Sequence, residues 1–288
     1  MPEQTDLLKW DNDSKSEKPI KSGYTRKILK QVLILKQPPV LFGIALVVLW
    51  EFLCRILVVP TYLLPTPTII VQTAQKYVEI VFSNTLYTLW EVLTGFVAGS
   101  IFSIVLGILI TYYSWFRKVC LPYIVLFNNL PKLALAPLFI VWFGFSFLTN
   151  VGIVVALGAF PVLINFVAGL EGIKEEEIRL MQSYNATKWQ TFYHVRLFNS
   201  MPFLFAGLKL SMVLSVAGAV VAEFVTGHAG LAYLMLLSST NLQIPLMFVC
   251  LLDLGLLGLV LFIAVSAIER VLTPWTKGNA QTATEGTM

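Results

Sequence analysis

Six apolar runs, each near the length of a bilayer-crossing helix, leave this chain little freedom. They lie at approximately 39–59, 85–111, 119–142, 148–170, 201–226 and 246–268. A hydrocarbon core about 30 Å thick takes roughly 20 apolar residues of helix. Inside it every backbone polar group must be satisfied within the protein, which leaves helices or a closed barrel. The runs are too long for barrel strands, so the expected fold is all-α, a polytopic membrane protein with six transmembrane helices. Composition agrees: of 288 residues 57% are hydrophobic and only 12% charged, against about 45–50% and about 25% in a soluble domain. The formal charge of +4 comes with no basic stripe, so no nucleic-acid partner is expected. Cys54, Cys120 and Cys250 are widely spaced, and His194 and His228 lie far apart. That pattern predicts neither a disulfide framework nor a metal site.

The positive residues give a direction. Sixteen of the twenty fall before the first run, between runs two and three, between four and five, or after run six. Lysine and arginine accumulate on the cytoplasmic side, so both termini are expected inside, N-in and C-in. The expected organisation is a cytoplasmic tail over 1–37, a six-helix membrane domain over 38–275 and a short cytoplasmic tail over 276–288. No cleavable signal is expected before the first run. The segment LLPTPTIIVQTAQKYVEI between runs one and two is broken by prolines and amphipathic at its end, which predicts an interfacial position. Small residues recur at four-residue steps, as Gly95, Gly99, Ser103 and Gly107, and again from Ser211 through Ser215 to Gly218 and Ala222. Such stripes let helices approach closely and predict packing inside the bundle.

One cytoplasmic loop, 171–200, stands out. Glu175, Glu176 and Glu177 suit a first helical turn, where the macrodipole favours anions. Asn185 offers a stop, because asparagine tolerates the left-handed conformation that ends helices. ATKWQTFYHVRLF then restarts as a short helix with Trp189, Phe192 and Tyr193 on one face. Those aromatics suit either a docking knob for a partner protein or an interfacial aromatic belt. Within the spans, ionisable groups are the functional suspects. Lys132, following Asn128, Asn129 and Pro131, is expected deep in the third span, where proline breaks the helix ladder; it either lines a pathway or caps the freed carbonyls or snorkels. Glu223, near the far end of the fifth, is a further pathway candidate or half of an ion pair. Glu51 and Glu91 read as interfacial anchors, and Lys209 as a residue snorkelling inward.

The chain has no G-x-x-x-x-G-K-[ST], G-x-S-x-G or H-E-x-x-H, so it is not expected to be an enzyme. The ordered pieces LLPTPTIIV, NTLYTLWEVLTGFVAG, NLPKLALAPLFIVWFGFS, ATKWQTFYHVRLFNSMPFLFAGLKLSM, VVAEF with GLAYLM, and IERVLTPW span about four fifths of the chain. Together they resemble the permease subunits of bacterial ABC importers, in the branch handling nitrate, sulfonates, taurine, bicarbonate and thiamine-pyrimidine precursors. The resemblance implies the ABC importer permease fold in the inner membrane, and a cytoplasmic coupling loop over 179–198. In that loop Arg179, Asn185, Ala186, Thr187, Lys188, Trp189, Phe192, Tyr193 and Leu197 would face the ATPase. Arg179, Leu180 and Met181 stand where the family has glutamate and two alanines. Asn185 replaces its glycine and Phe198 its proline. The implied partners are two ATPase subunits, a second permease copy as a homodimer, an extracytoplasmic substrate-binding protein and the lipid bilayer. No cofactor is implied for this chain; ATP and Mg sit on the ATPase subunits. The residues also leave open an ion-gradient-driven secondary transporter and a membrane scaffold without transport.

Overall fold

The structure is a computed structural model and describes residues 38–276. The expected N-terminal tail, and all but the first residue of the expected C-terminal tail, lie outside the described residues. Every regular element among the described residues is helical. Helix α1, Pro38–Ile56, starts at the proline pair and belongs to the first of two compact units, which ends at Val58. The second unit begins at Val59.

In that second unit α2 is Pro67–Lys76. Thr66 caps it by accepting the Ile69 N–H, and Pro67 takes the first position, where no donor is needed. Then come α3, Val78–Tyr112, and α4, Ser114–Asn129. A 3-10 turn, Lys132–Leu135, leads into α5, Ala136–Phe143, and then α6, Phe147–Glu171. Next are α7, Glu175–Ser183, and α8, Lys188–Thr191, which passes through a π turn, Phe192–Arg196, into α9, Leu197–Thr226. Helices α10, Leu231–Thr240, and α11, Ile244–Leu272, complete the bundle, and the described chain ends in a 3-10 turn, Pro274–Thr276.

Among the described residues, four helical runs are long and apolar enough to cross a membrane: α3, α6, the run from α8 through α9, and α11. The expected third span, 119–142, is two helices rather than one. Leu130, held extended before Pro131 at φ −69 and ψ 139, ends α4. Proline disfavours helical geometry in the residue before it and has no N–H of its own to continue the ladder.

Helix α6 is the centre of the bundle, with α3 on one side and α9 on the other. The small-residue stripes explain how three helices come so close. A Cβ at Gly107 would meet Phe166 Cδ1 at 2.8 Å, and one at Gly218 would meet the Val154 Cα at 3.1 Å. Gly158 reciprocates from α6: a Cβ there would meet the Ser215 hydroxyl at 2.7 Å. Ser103 donates to the Ala159 carbonyl at 2.6 Å, a direct bond from α3 to α6. Val92, Val154, Met212 and Ala219 fill the space between. Large apolar side chains outside this core, such as Leu252, Leu256 and Ile263 of α11, are exposed on the single chain, as expected where lipid or another subunit supplies the contact.

Candidate functional site

The loop after α6 folds as its sequence suggests, with one rearrangement. Arg179 pairs with Glu175 one turn earlier at 3.0 Å, on the exposed face. Helix α7 ends in a Schellman motif. The Ala186 N–H donates to the Met181 carbonyl, the Asn185 N–H to the Gln182 carbonyl, and Asn185 sits in the left-handed region at φ 51. Thr187 then opens α8 with a capping box: its hydroxyl accepts the Gln190 N–H, and the Gln190 side chain accepts the Thr187 N–H. The whole joint is thus fixed by local bonds. Asn199 adds a longer tie, donating to Glu177 at 2.8 Å.

The Trp189 and Phe192 rings stack at 5.7 Å, as their spacing predicts, but the three aromatics do not all point outward. Trp189 and Tyr193 are 60% and 58% exposed, whereas Phe192 is 4% exposed and packs among Phe166, Leu170 and Leu204. A π turn begins at Phe192 itself. The Leu197 N–H bonds the Phe192 carbonyl five residues back, and the extra residue rotates the helix beyond it. Nor does α8 stand alone as a short helix; it continues into α9, with half-buried Leu197 at the join packed on the Phe192 cluster. Phe198 stacks on Trp275 at 4.0 Å. The loop therefore presents Trp189, Tyr193 and Lys188 outward on a stem that is rigidly part of the bundle.

Lys132 lies in the break between α4 and α5 rather than inside a continuous span. Its Nζ sits 4.6 Å from the centroid of Phe160 and donates to Asn128 Oδ1 at 3.4 Å. It borders a cavity of about 500 Å3 walled by Phe102, Tyr123, Phe127, Phe139 and Trp142, with Cys120 also on its wall. Asn128 and Asn129 are exposed beside it. The structure thus brings Lys132 and Asn128 together.

Glu223 is elsewhere. It is fully buried, accepts the Thr88 hydroxyl and the Ala232 N–H, and does not border the Lys132 cavity. Among the described residues it has no cationic partner, so the expected ion pair gives way to bonds with a hydroxyl and the backbone. Glu91, expected at an interface, is also fully buried and accepts the Asn150 amide from α6. Lys209 does not simply snorkel. It meets Glu269 of α11 at 2.9 Å. Thr88 and Asn150 are the residues that sequence reasoning missed. Thr88 sits four residues from Asn84 and three from Glu91, a polar stripe at helical spacing that was available to be read.

The sequence from 99 to 278 matches the family model described as the binding-protein-dependent transport system inner membrane component. The formylaminopyrimidine transport permease protein ThiX of Halalkalibacterium halodurans is 32% identical over 240 residues, covering 83% of this chain and 96% of that one. This chain belongs to that family of transport permeases. The riboflavin transport system permease protein RibX of Chloroflexus aurantiacus is 30% identical, over 80% of this chain and 87% of that one. The taurine transport system permease protein TauC of Escherichia coli is 24% identical, over 65% of this chain and 71% of that one. Among solved structures, one titled as the crystal structure of an amino acid ABC transporter with histidines superposes with a TM-score of 0.56. It covers 70% of this chain and 96% of that one at 16% identity, a likeness of fold. The permease is thus a multi-pass membrane component of binding-protein-dependent transport, and its relatives are transport subunits rather than enzymes.

Proposed function

We propose that this permease forms the substrate path of an importer driven by two separate ATPase subunits, which grip the segment 179–198 from the cytoplasm. The reading is carried by the exposed Trp189 and Tyr193 on a stem with no loose joint. Large aromatics beside a lysine, presented on a rigid support, suit a protein interface, where such residues dominate the binding energy. Because α8 runs on into α9, a push on Trp189 travels along one helical run to Thr226. The 30 residues of α9 alone span about 45 Å at 1.5 Å per residue. ATP and Mg bind on the ATPase chains, and this chain carries no cofactor. Six spans, both termini inside, a homodimer and an inner-membrane setting complete the proposal, with a binding protein delivering substrate at the α10 end.

For the substrate, Lys132 with Asn128 and Asn129 forms the polar part of the path. The aromatic walls of the adjoining cavity favour a planar ring with an accepting or anionic group. Of the thiamine-precursor, sulfonate, nitrate and bicarbonate classes, that points to the thiamine-pyrimidine precursors. The relative named for formylaminopyrimidine transport supports the choice. The test is co-purification. An ATPase subunit recovered with the wild-type chain, and lost on Trp189→Ala, supports the proposal. Uptake that persists in cells lacking every candidate ATPase overturns it in favour of a gradient-driven transporter.

A further inference from the structure

The first N–H groups of any helix lack acceptors within that helix. In α10 they are satisfied from outside, by other helices. The Gly230 N–H donates to Asn84 Oδ1 at 2.9 Å, the Leu231 N–H to Thr88 Oγ1 at 2.9 Å, and the Ala232 N–H to Glu223 Oε2 at 2.6 Å. Three consecutive donors are therefore taken by three side chains, two from α3 and one from α9. Thr88 joins the set into one unit, because the hydroxyl that accepts from Leu231 also donates to Glu223. Gly230 is held at φ 105, and a Cβ there would overlap the Glu223 carboxyl, so no other residue fits that turn. Thr88, Glu223, Leu231 and Ala232 are all fully buried.

We propose that Asn84, Thr88 and Glu223 form a latch that locks α10 to α3 and α9, so that a load on α10 moves the bundle rather than the loop. Apolar contact alone would hold α10 against the bundle but would tolerate sliding. Sliding α10 by one residue, about 1.5 Å, would misplace every one of these bonds at once. Away from water a broken bond of this kind finds no substitute partner. The same α3 stripe continues one turn on to Glu91, which receives Asn150 of α6. The latch rests on the transport reading above, in which the binding protein presses on the α10 end. Thr88 and Asn84 act here as positioning residues.

The test uses the complete transporter in lipid nanodiscs, with the isosteric Thr88→Val variant and the hydroxyl-retaining Thr88→Ser. Amide exchange over residues 227–243 and ATP hydrolysis with and without the binding protein are read on the same samples. Thr88→Val is expected to speed exchange at the start of α10 about tenfold while α6 stays protected. It should also cut binding-protein stimulation at least fivefold and leave basal hydrolysis within twofold. Thr88→Ser should restore both. Should Thr88→Val fail to assemble, Asn84→Leu is read the same way. Unchanged protection in the valine variant overturns the latch, as does full stimulation with a loosened α10, or a serine variant no better than valine. A wild-type complex with no stimulation by any binding protein would instead overturn the transport reading, and the exchange data would still judge the latch.

Discussion

Replacing Gly207 by alanine tests how tightly the core of the permease is closed. Gly207 faces α6 from α9. A Cβ there would come within 2.8 Å of the Pro161 carbonyl oxygen and 3.0 Å of both the Val162 Cα and the Asn165 Cβ. Two of these three are backbone atoms, which cannot swing aside as a side-chain end can. The Pro161 carbonyl also accepts the Asn165 side chain at 2.8 Å, which leaves it less room to tilt. The two central helices must therefore separate by several tenths of an ångström. Overpacking of this sort costs about 1–3 kcal/mol. At about 2–4 °C per kcal/mol, Gly207→Ala should melt about 2–12 °C below a helical Gly→Ala change that meets no contact. Gly255 of α11 is the control, since a Cβ there meets nothing within 4 Å. Gly255→Ala should be neutral or raise Tm, because alanine favours helix over glycine by about 0.8–1.0 kcal/mol. A thermal melt of the two variants side by side decides it. Equal Tm values to within about 1 °C would refute the close packing at Gly207, which requires the two variants to differ.

Three further predictions concern the loop and its supports. Asn185→Gly should leave stability unchanged or slightly raised, whereas Asn185→Val should lower it by about 1–2 kcal/mol, since φ 51 suits glycine and strains a branched residue; denaturant melts would show it. Phe198→Ala and Trp275→Ala should couple in a double-mutant cycle by about 0.5–1.5 kcal/mol through their stacked rings. Lys209→Met and Glu269→Leu should each destabilise, and the double variant should recover most of the loss in the same melts, because an unpaired half-buried charge is worse than an apolar pair.

Much of this fold was legible from local signals. The prolines before α2 and within the third run, Asn185, and the glycine stripe of α3 each mark a place where backbone geometry permits few alternatives. Their consequences appear in the structure as a capped start, a broken span, a left-handed stop and a close helix contact. The Trp189 face was only half legible. Spacing put Phe192 beside Trp189, and the rings do stack, but the cover that Phe166, Leu170 and Leu204 give Phe192 is a matter of tertiary packing. Glu91 and Glu223 were read by depth alone. Their partners, Asn150, Thr88 and the backbone of α10, lie 59, 135 and 9 residues away in sequence. No local pattern connects a carboxyl to a helix start on another segment. The polar stripe of Asn84, Thr88 and Glu91 was visible at helical spacing, yet only the fold shows what it faces.

The central claim is that Trp189 faces an ATPase subunit. A photo-cross-linking amino acid in place of Trp189, activated in native membranes, tests it most directly. Val141 of α5, 80% exposed on an apolar helix, is the matched control. The account predicts one major adduct at 189, a nucleotide-binding chain, that is absent at 141. Adducts at 189 confined to lipid, with the assembled transporter present, would contradict it.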